Sequence, residues 1–267
     1  MIQVNHISKQ YGGKPILQDI SFSVPPGEKL SIVGPGGCGK TLLLKILLGL
    51  IEPDSGSSSI LGVDMNQGSA TDKAQVRKQI GMAFQQGGLF DFMTVRENLL
   101  FAIEHMTSMD PKLAQSTIDA LLTAVKLPHV HSMFPYELSG GMQRRVGIAR
   151  ALCTHPQVAF FDEPTAGLDP VTSTIILNMI LALGKQNKDT PSPSMIVVTS
   201  NVETAIRFAD RILVMQESRV VADGPWRELF VSGPEWVQHF LQVRFIGLDL
   251  EYAKGLDLPD AFLRKHW

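Results

Sequence analysis

Gly34-Pro35-Gly36-Gly37-Cys38-Gly39-Lys40-Thr41 is the stretch whose reading decides the fold. The octet fits G-x-x-x-x-G-K-[ST], and its flanks supply the context that pattern requires. Before it, Lys29–Val33 is a short, mostly apolar run, as expected of a parallel strand buried on both faces. After it, Thr41–Leu50 reads as a helix closed by Gly49. Glycines between such a strand and such a helix let successive backbone N–H groups turn inward around phosphate oxygens. The helix N-terminus adds its partial positive charge. Lys40 is then placed to reach the β and γ phosphates of a nucleotide, and Thr41 to offer its hydroxyl to Mg2+.

Working outward, the next element that fits is Val158-Ala159-Phe160-Phe161-Asp162-Glu163, an apolar strand ending in two carboxylates. A strand buried on both faces delivers its last side chains to the carboxyl edge of the sheet, where ligands bind. Asp162 would hold Mg2+, directly or through water, and Glu163 would orient and deprotonate the attacking water. Read alone, the same residues are a strand followed by a solvated acidic turn. Together with the glycine-rich loop they point to a nucleotide hydrolase.

Strand and helix alternate on both sides of these elements. Ile2, Val4 and His6 face one way in a first strand, and Ile20, Phe22 and Val24 repeat the period of two before the turn Pro25-Pro26-Gly27. From about Val95 to Cys153 the pattern is helical. Ala114, Ile118, Leu121 and Val125 form one stripe, started by Asp110-Pro111. Alternation returns with a helix over Val171–Lys185, a Pro/Ser loop over Thr190–Ser194, a strand over Met195–Thr199, a helix over Val202–Ala209, and a hairpin of Arg211–Met215 with Arg219–Ala222. The only low-complexity tract is Ser55–Ser59. The predicted fold is therefore α/β: a P-loop NTPase core with a mixed sheet plus an inserted α-helical subdomain. Its parts are an ATP-binding core over 1–87 and 156–234, a helical subdomain over 88–155, and a C-terminal extension over 235–267.

With 24 basic and 26 acidic residues the net charge is −2, which is no nucleic-acid footprint. Two cysteines, Cys38 and Cys153, leave no disulfide framework and make a reducing compartment the default. Met1–Gln10 is polar, so no secretory signal is expected there. The apolar run Leu42–Ile51 is interrupted by Lys45 and is too short to span a bilayer. The scattered histidines show no metal-ligand spacing beyond His129 and His131, which read as solvated loop residues.

One further motif selects among nucleotide hydrolases. In Tyr136-Glu137-Leu138-Ser139-Gly140-Gly141-Met142-Gln143-Arg144-Arg145, the Ser-Gly-Gly turn opens a second helix. Alone it is an N-cap. As a second anion-binding turn it has no use on the same γ-phosphate within one chain, but it can cap the nucleotide of a second copy arranged head to tail.

Here the sequence resembles the ABC transporter ATPases, whose Leu-Ser-Gly-Gly-Gln signature stands as Leu138–Met142. The resemblance covers about residues 1–235, with every motif in order. It implies binding of Mg-ATP by Gly34, Pro35, Gly36, Gly37, Cys38, Gly39, Lys40, Thr41 and Leu42, with Tyr11 stacking on adenine. For Tyr11 the alternative is a surface tyrosine at a strand end. Gln85 stands where the family's glutamine touches Mg2+ and faces the membrane subunit, and the adjacent Gln86 lets that match slip by one. Asp169, in Ala166-Gly167-Leu168-Asp169, matches the loop that passes between the two ATPases. The resemblance further implies catalytic roles for Lys40, Gln85 and Glu163; metal contacts from Thr41, Gln85 and Asp162; and contact in trans through Ser139, Gly140, Gly141 and Met142.

The segment Phe84–Asp91 and the Met-Gln-Arg-Arg ending of the signature are similar to the ATPases of Mla-type lipid transporters. Those serve permeases linked to mammalian-cell-entry proteins and move phospholipid between the membranes of diderm bacteria. The expected partners are a second ATPase copy, a permease contacted near Phe90–Asn98, and a small regulatory subunit, all at the cytoplasmic face of the inner membrane. An importer of small solutes is the alternative within the family. Soluble relatives of DNA repair or translation usually carry long inserts or two fused units, and this chain has neither.

The pattern breaks at Ser200. The family places a histidine there, aimed at the γ-phosphate. Serine is shorter and carries no positive charge at neutral pH. Slow hydrolysis with near-normal ATP binding is the expectation, and an ATP-dependent clamp that barely hydrolyses is the rival reading. In the tail, Trp236, Phe240 and Val243 have helical spacing, and Leu248, Leu250, Leu256 and Leu258 alternate with polar residues. The tail either folds back on its own core or, as the resemblance implies, reaches across to the partner ATPase.

Overall fold

The structure, a computed structural model, describes residues 2–184 and 192–243. Two sheets make the frame. One is antiparallel, in the order β2-β1-β4-β5: β1 is Ile2–Tyr11, β2 Lys14–Val24, β4 Ser55–Ile60 and β5 Val63–Asp64. The other has the order β10-β9-β3-β8-β7-β6: β3 is Lys29–Val33, β6 Ile80–Ala83, β7 Val158–Asp162, β8 Ser194–Thr199, β9 Arg211–Gln216 and β10 Arg219–Pro225. Within it the neighbours β6, β7, β8, β3 and β9 run parallel and only β10 is antiparallel, so it is the expected mixed sheet.

The second sheet was not expected, and its residues show why. Ser55–Ser59 is not a compositional tract but most of β4, paired with β1 from Ile2↔Ile60 to Asn5↔Ser57. Pairing, not the intrinsic preference of serine, makes it a strand. On β1, His6 does not share the face of Ile2 and Val4. Val4 pairs with Phe22 and Ile7 with Ile20, three steps against two, so a bulge at His6 (φ +53°) turns its ring outward and buries Ile7 instead. Ser194 belongs to β8 rather than to a loop. Its buried hydroxyl donates to Pro25 O at 3.0 Å and accepts from Gly27 N at 2.9 Å, stapling the Pro25–Gly27 turn to the strand.

The helices follow their start signals. They are α1 (Lys40–Leu47), α2 (Ala70–Arg77), α3 (Val95–Met106), α4 (Pro111–Ala124), α5 (Gly140–Leu152), α6 (Pro170–Leu183), α7 (Val202–Phe208), α8 (Trp226–Ser232) and α9 (Glu235–Val243). Thr94 and Glu97 form a reciprocal capping box at α3, and the side chains of Asp110, Ser139, Asp169 and Asn201 cap α4, α5, α6 and α7. α1 ends at Leu47, three residues short of the predicted limit at Leu50. On α4 Ile118 and Leu122 are fully buried, as is Val125 just past its end, with Leu121 only partly covered. On α9, Val237 and Leu241 are buried, while Trp236 and Phe240 stack on each other at 5.0 Å, partly exposed. Lys185, Thr190, Pro191 and the Leu248–Leu258 alternation lie outside the described residues.

β7 is buried along its length. Successive side chains point to opposite faces. Phe160 therefore joins the core that holds Leu44 and Ile196, and Phe161 the core that holds Val146, Ile176 and Phe208. The two cores clamp the strand, and its last carboxylates emerge at the edge where α1 begins.

Candidate functional site

The glycine-rich loop is wedged between two strands. A Cβ on Gly34 would lie 2.2 Å from Met215 O, at the end of β9. Gly39 sits at φ +100°, where a Cβ would meet Ile16 O of β2 at 2.6 Å. By contrast, nothing lies within 4 Å of a Cβ built on Gly36 or Gly37, so this side of the loop faces open space. Lys40 is 6% exposed, and its Nζ donates to Gly34 O and Pro35 O at 2.8 Å each. The loop's own carbonyls thus hold the cation at the centre of the turn. Cys38 Sγ is 3.8 Å from the same Nζ, and burial pushes the Cys38 thiol up, against the pull of Lys40.

Opposite the loop stands the end of β7. Thr41 Oγ1 donates to Asp162 Oδ1 at 3.3 Å. Asp162 is 6% exposed; burial raises its pKa, the Thr41 hydrogen bond opposes the rise, and the charge of Glu163 adds to it. A hydroxyl and a carboxylate converging beside a buried lysine are hard oxygen donors of the kind Mg2+ takes in nucleotide sites. The residues present therefore fit Mg2+ with a phosphate chain on the open side of the loop.

Glu163 is held by the neighbouring strand. Its backbone is left-handed (φ +45°), with its N–H donating to Val198 O at 2.8 Å. Its carboxylate reaches the end of β8. Oε1 accepts from Ser200 N at 2.8 Å and Ser200 Oγ at 2.7 Å, and Oε2 from Thr199 Oγ1 at 3.1 Å. Thr41 thus meets Asp162 beside the loop, and Ser200 meets Glu163 at the end of β8. Thr199 was missed, because a threonine ending an apolar strand carries no sequence signal.

The remaining candidates sit elsewhere. Tyr11 is 53% exposed on the β1–β2 hairpin, with Lys9 Nζ 5.7 Å from its ring centre. Gln85 and Gln86 follow β6 and line, with Gly140, Gln143 and Arg144, a cleft of about 510 Å³. Ser139 Oγ accepts from Met142 N at 3.3 Å, and the Cβ positions of Gly140 and Gly141 face open space. Met142 is partly buried against the core. Asp169 Oδ1 accepts from Thr172 N at 2.9 Å at the start of α6. Among the described residues no hydrogen bond or ion pair links Ser139–Met142 to Lys40, Thr41, Asp162 or Glu163. Arg144, given no role by its spacing, donates to Gln85 O at 3.2 Å and to Ala166 O at 2.7 Å, tying the loop after β6 to the loop after β7.

Comparison with known proteins agrees with this geometry. A family description, ABC transporter, matches residues 17–166. The chain is 35% identical over 252 residues to the chloroplastic protein TRIGALACTOSYLDIACYLGLYCEROL 3 of Arabidopsis thaliana, covering 90% of this chain and 73% of that one. It is 34% identical over 246 residues to the probable ribonucleotide transport ATP-binding protein mkl of Mycobacterium tuberculosis (strain ATCC 25618 / H37Rv), covering 92% and 67%. A solved dimeric ATP-binding cassette in a post-hydrolysis state with ADP and phosphate superposes with a TM-score of 0.75 at 28% identity, covering 84% of this chain and 98% of that one.

Proposed function

The chain belongs to the ABC transporter family as an ATP-binding subunit, and from that premise we propose that it hydrolyses ATP as one half of a head-to-tail pair that drives a phospholipid permease. The observation that carries the reading is the meeting of the Gly34–Thr41 loop with Asp162 and Glu163 at one sheet edge, while the Ser139–Gly141 turn opens to space. Such a turn, at the N-terminus of the 13-residue helix α5, suits the phosphates of a nucleotide held by the second copy.

In this reading the loop N–H groups and Lys40 bind the phosphates, and Leu42 continues the first turn of α1 behind them. Thr41 and Asp162 would hold Mg2+, while Gln85 lines the separate cleft after β6. When bound, the ion neutralises charge on the phosphate oxygens. Glu163 takes a proton from the attacking water as that water's oxygen bonds to the γ-phosphorus and the bond to the ADP oxygen breaks. Tyr11 offers a ring face to adenine, and Asp169 anchors the loop that meets the second copy. The working parts are a core over 1–87 and 156–234, a helical subdomain over 88–155 and an extension over 235–267.

No described helix is long and apolar enough to cross a membrane, and in this reading a permease does so. Its dock is the exposed start of Phe90–Asn98. Phe92 is 75% exposed, and Phe84, Phe90, Phe101, Met106 and Arg150 line an adjoining cleft of about 340 Å³. Asn98 is no part of that surface. It is fully buried, accepts from Phe90 N and donates to Phe90 O, Met93 O and Thr94 O, so it holds the dock in shape from within. The subunit then sits at the cytoplasmic face of the inner membrane, with room for a small regulatory partner.

Lipid as cargo is supported by the galactolipid in the printed name of the Arabidopsis relative, and phospholipid in particular by the Met142 signature. The mycobacterial relative's printed name favours a second reading, a small-solute transporter. Glu163→Gln with Mg-ATP should sediment as a dimer and revert to monomer without nucleotide; a monomer under both conditions ends the head-to-tail reading. Phospholipid enriched over bulk membrane in the complex captured from membranes supports the cargo. A complex carrying no lipid excess, with ATPase stimulated by ribonucleotide, transfers the assignment to the second reading.

A further inference from the structure

The carboxylate of Glu163 has about four acceptor sites, two on each oxygen. Both sites on Oε1 are filled by Ser200, through its backbone N–H and its hydroxyl. One site on Oε2 is filled by Thr199, whose own hydroxyl accepts from Asn201 N at 3.0 Å and so turns its proton toward Glu163. Thr199 is fully buried at the end of β8 and cannot swing away. The backbone of Glu163 is fixed independently by the bond to Val198 O, in a conformation that non-glycine residues rarely adopt. Carboxylate and backbone are thus held by the same strand end, and one acceptor site is left over.

We propose that Ser200, with Thr199 behind it, is the positioning residue for Glu163, leaving one lone pair of Oε2 to receive the proton of the attacking water. The inference rests on Glu163 being the general base. It gives Ser200 a role that the loss of histidine alone did not suggest. The serine cannot place a positive charge at the γ-phosphate, but it does the other half of the task by orienting the base.

The test is steady-state ATP hydrolysis by the full chain, with nucleotide affinity measured beside it. Ser200→Ala should lower kcat about tenfold and leave KM and ATP affinity within about twofold. Thr199→Val should lower kcat in the same way. Ser200→Thr, which keeps the hydroxyl, should restore kcat to within about twofold of the parent. A Ser200→Ala enzyme with parental kcat overturns the proposal. So does a fall in kcat matched by a loss of ATP affinity, or one that Ser200→Thr does not restore, either of which marks a merely structural role. A parent whose rate equals that of Glu163→Gln, with ATP bound normally, removes the base and this inference together, and is told apart because the loss then precedes any change at Ser200.

Discussion

Replacing Gly39 by alanine tests why the phosphate loop has its shape. Gly39 has φ +100° and ψ 2°, a conformation an L-residue adopts only under strain. That strain costs about 1–3 kcal/mol. The added methyl would also lie 2.6 Å from Ile16 O and 2.8 Å from Leu17 Cδ2. The leucine tip can give, but the carbonyl belongs to β2 and moves only with the strand, so overpacking adds about 1–3 kcal/mol more. A loss of about 3–4 kcal/mol follows, a large part of the roughly 5–15 kcal/mol that holds a domain together. Urea unfolding without nucleotide should show a lower midpoint with little change in slope. Gly36→Ala is the control. Its methyl meets nothing within 4 Å, so stability should stay within about 0.5 kcal/mol of the parent while ATP affinity falls, the methyl standing where phosphates approach. Equal losses of stability in the two variants, or a Gly39→Ala protein as stable as the parent, would refute the account of the loop as a wedge against β2.

Other outcomes follow from the same geometry. Ser200→His should raise turnover several-fold at unchanged ATP affinity, since imidazole can both hold Glu163 and reach the γ-phosphate; an unchanged rate would show that the missing ring is not limiting. Burial raises the Cys38 thiol and pushes Cys153 up to about 12, so in the native protein near pH 8 a maleimide should label Cys38 slowly and Cys153 hardly at all. Mg-ATP should suppress the Cys38 label, and labelling of Cys153 first would contradict the burial order. Two hydrogen bonds from Thr94 hold the Glu97 carboxylate below its usual range. Its folded value is depressed, so its stabilising effect is present above the unfolded value of about 4.3 and fades as pH falls through the folded value. The gap in melting temperature between parent and Glu97→Gln should therefore be open at pH 7 and closed near pH 3; a gap independent of pH would assign the effect to packing.

Parts of the molecule were legible because their signals are local. The octet from Gly34 carries its own backbone requirement. Val158–Phe161 is apolar at every position because both faces are covered, and Asp110 and Ser139 announce helices by capping them. Other parts were not. The strand status of Ser55–Ile60 comes from its partner across the sheet, not from serine. The face of His6 was misread because a bulge is a property of two strands in register. The role of Asn98 was invisible, since a buried asparagine filling four backbone partners looks in sequence like any polar helix residue.

The chain alone determined which groups are on offer: a glycine-rich loop with Lys40 and Thr41, two carboxylates at Asp162 and Glu163, and a Ser-Gly-Gly turn at Ser139. These follow from residue type and spacing within a few residues, where the backbone leaves little choice. Only the tertiary structure decided how that chemistry is aimed. Ser200 lies 37 residues from Glu163, and whether it stands idle or grips the carboxylate depends on β8 pairing beside β7 and ending level with it. Hydrogen bonds act over about 3 Å, and only the folded sheet brings residues that far apart in sequence within that reach.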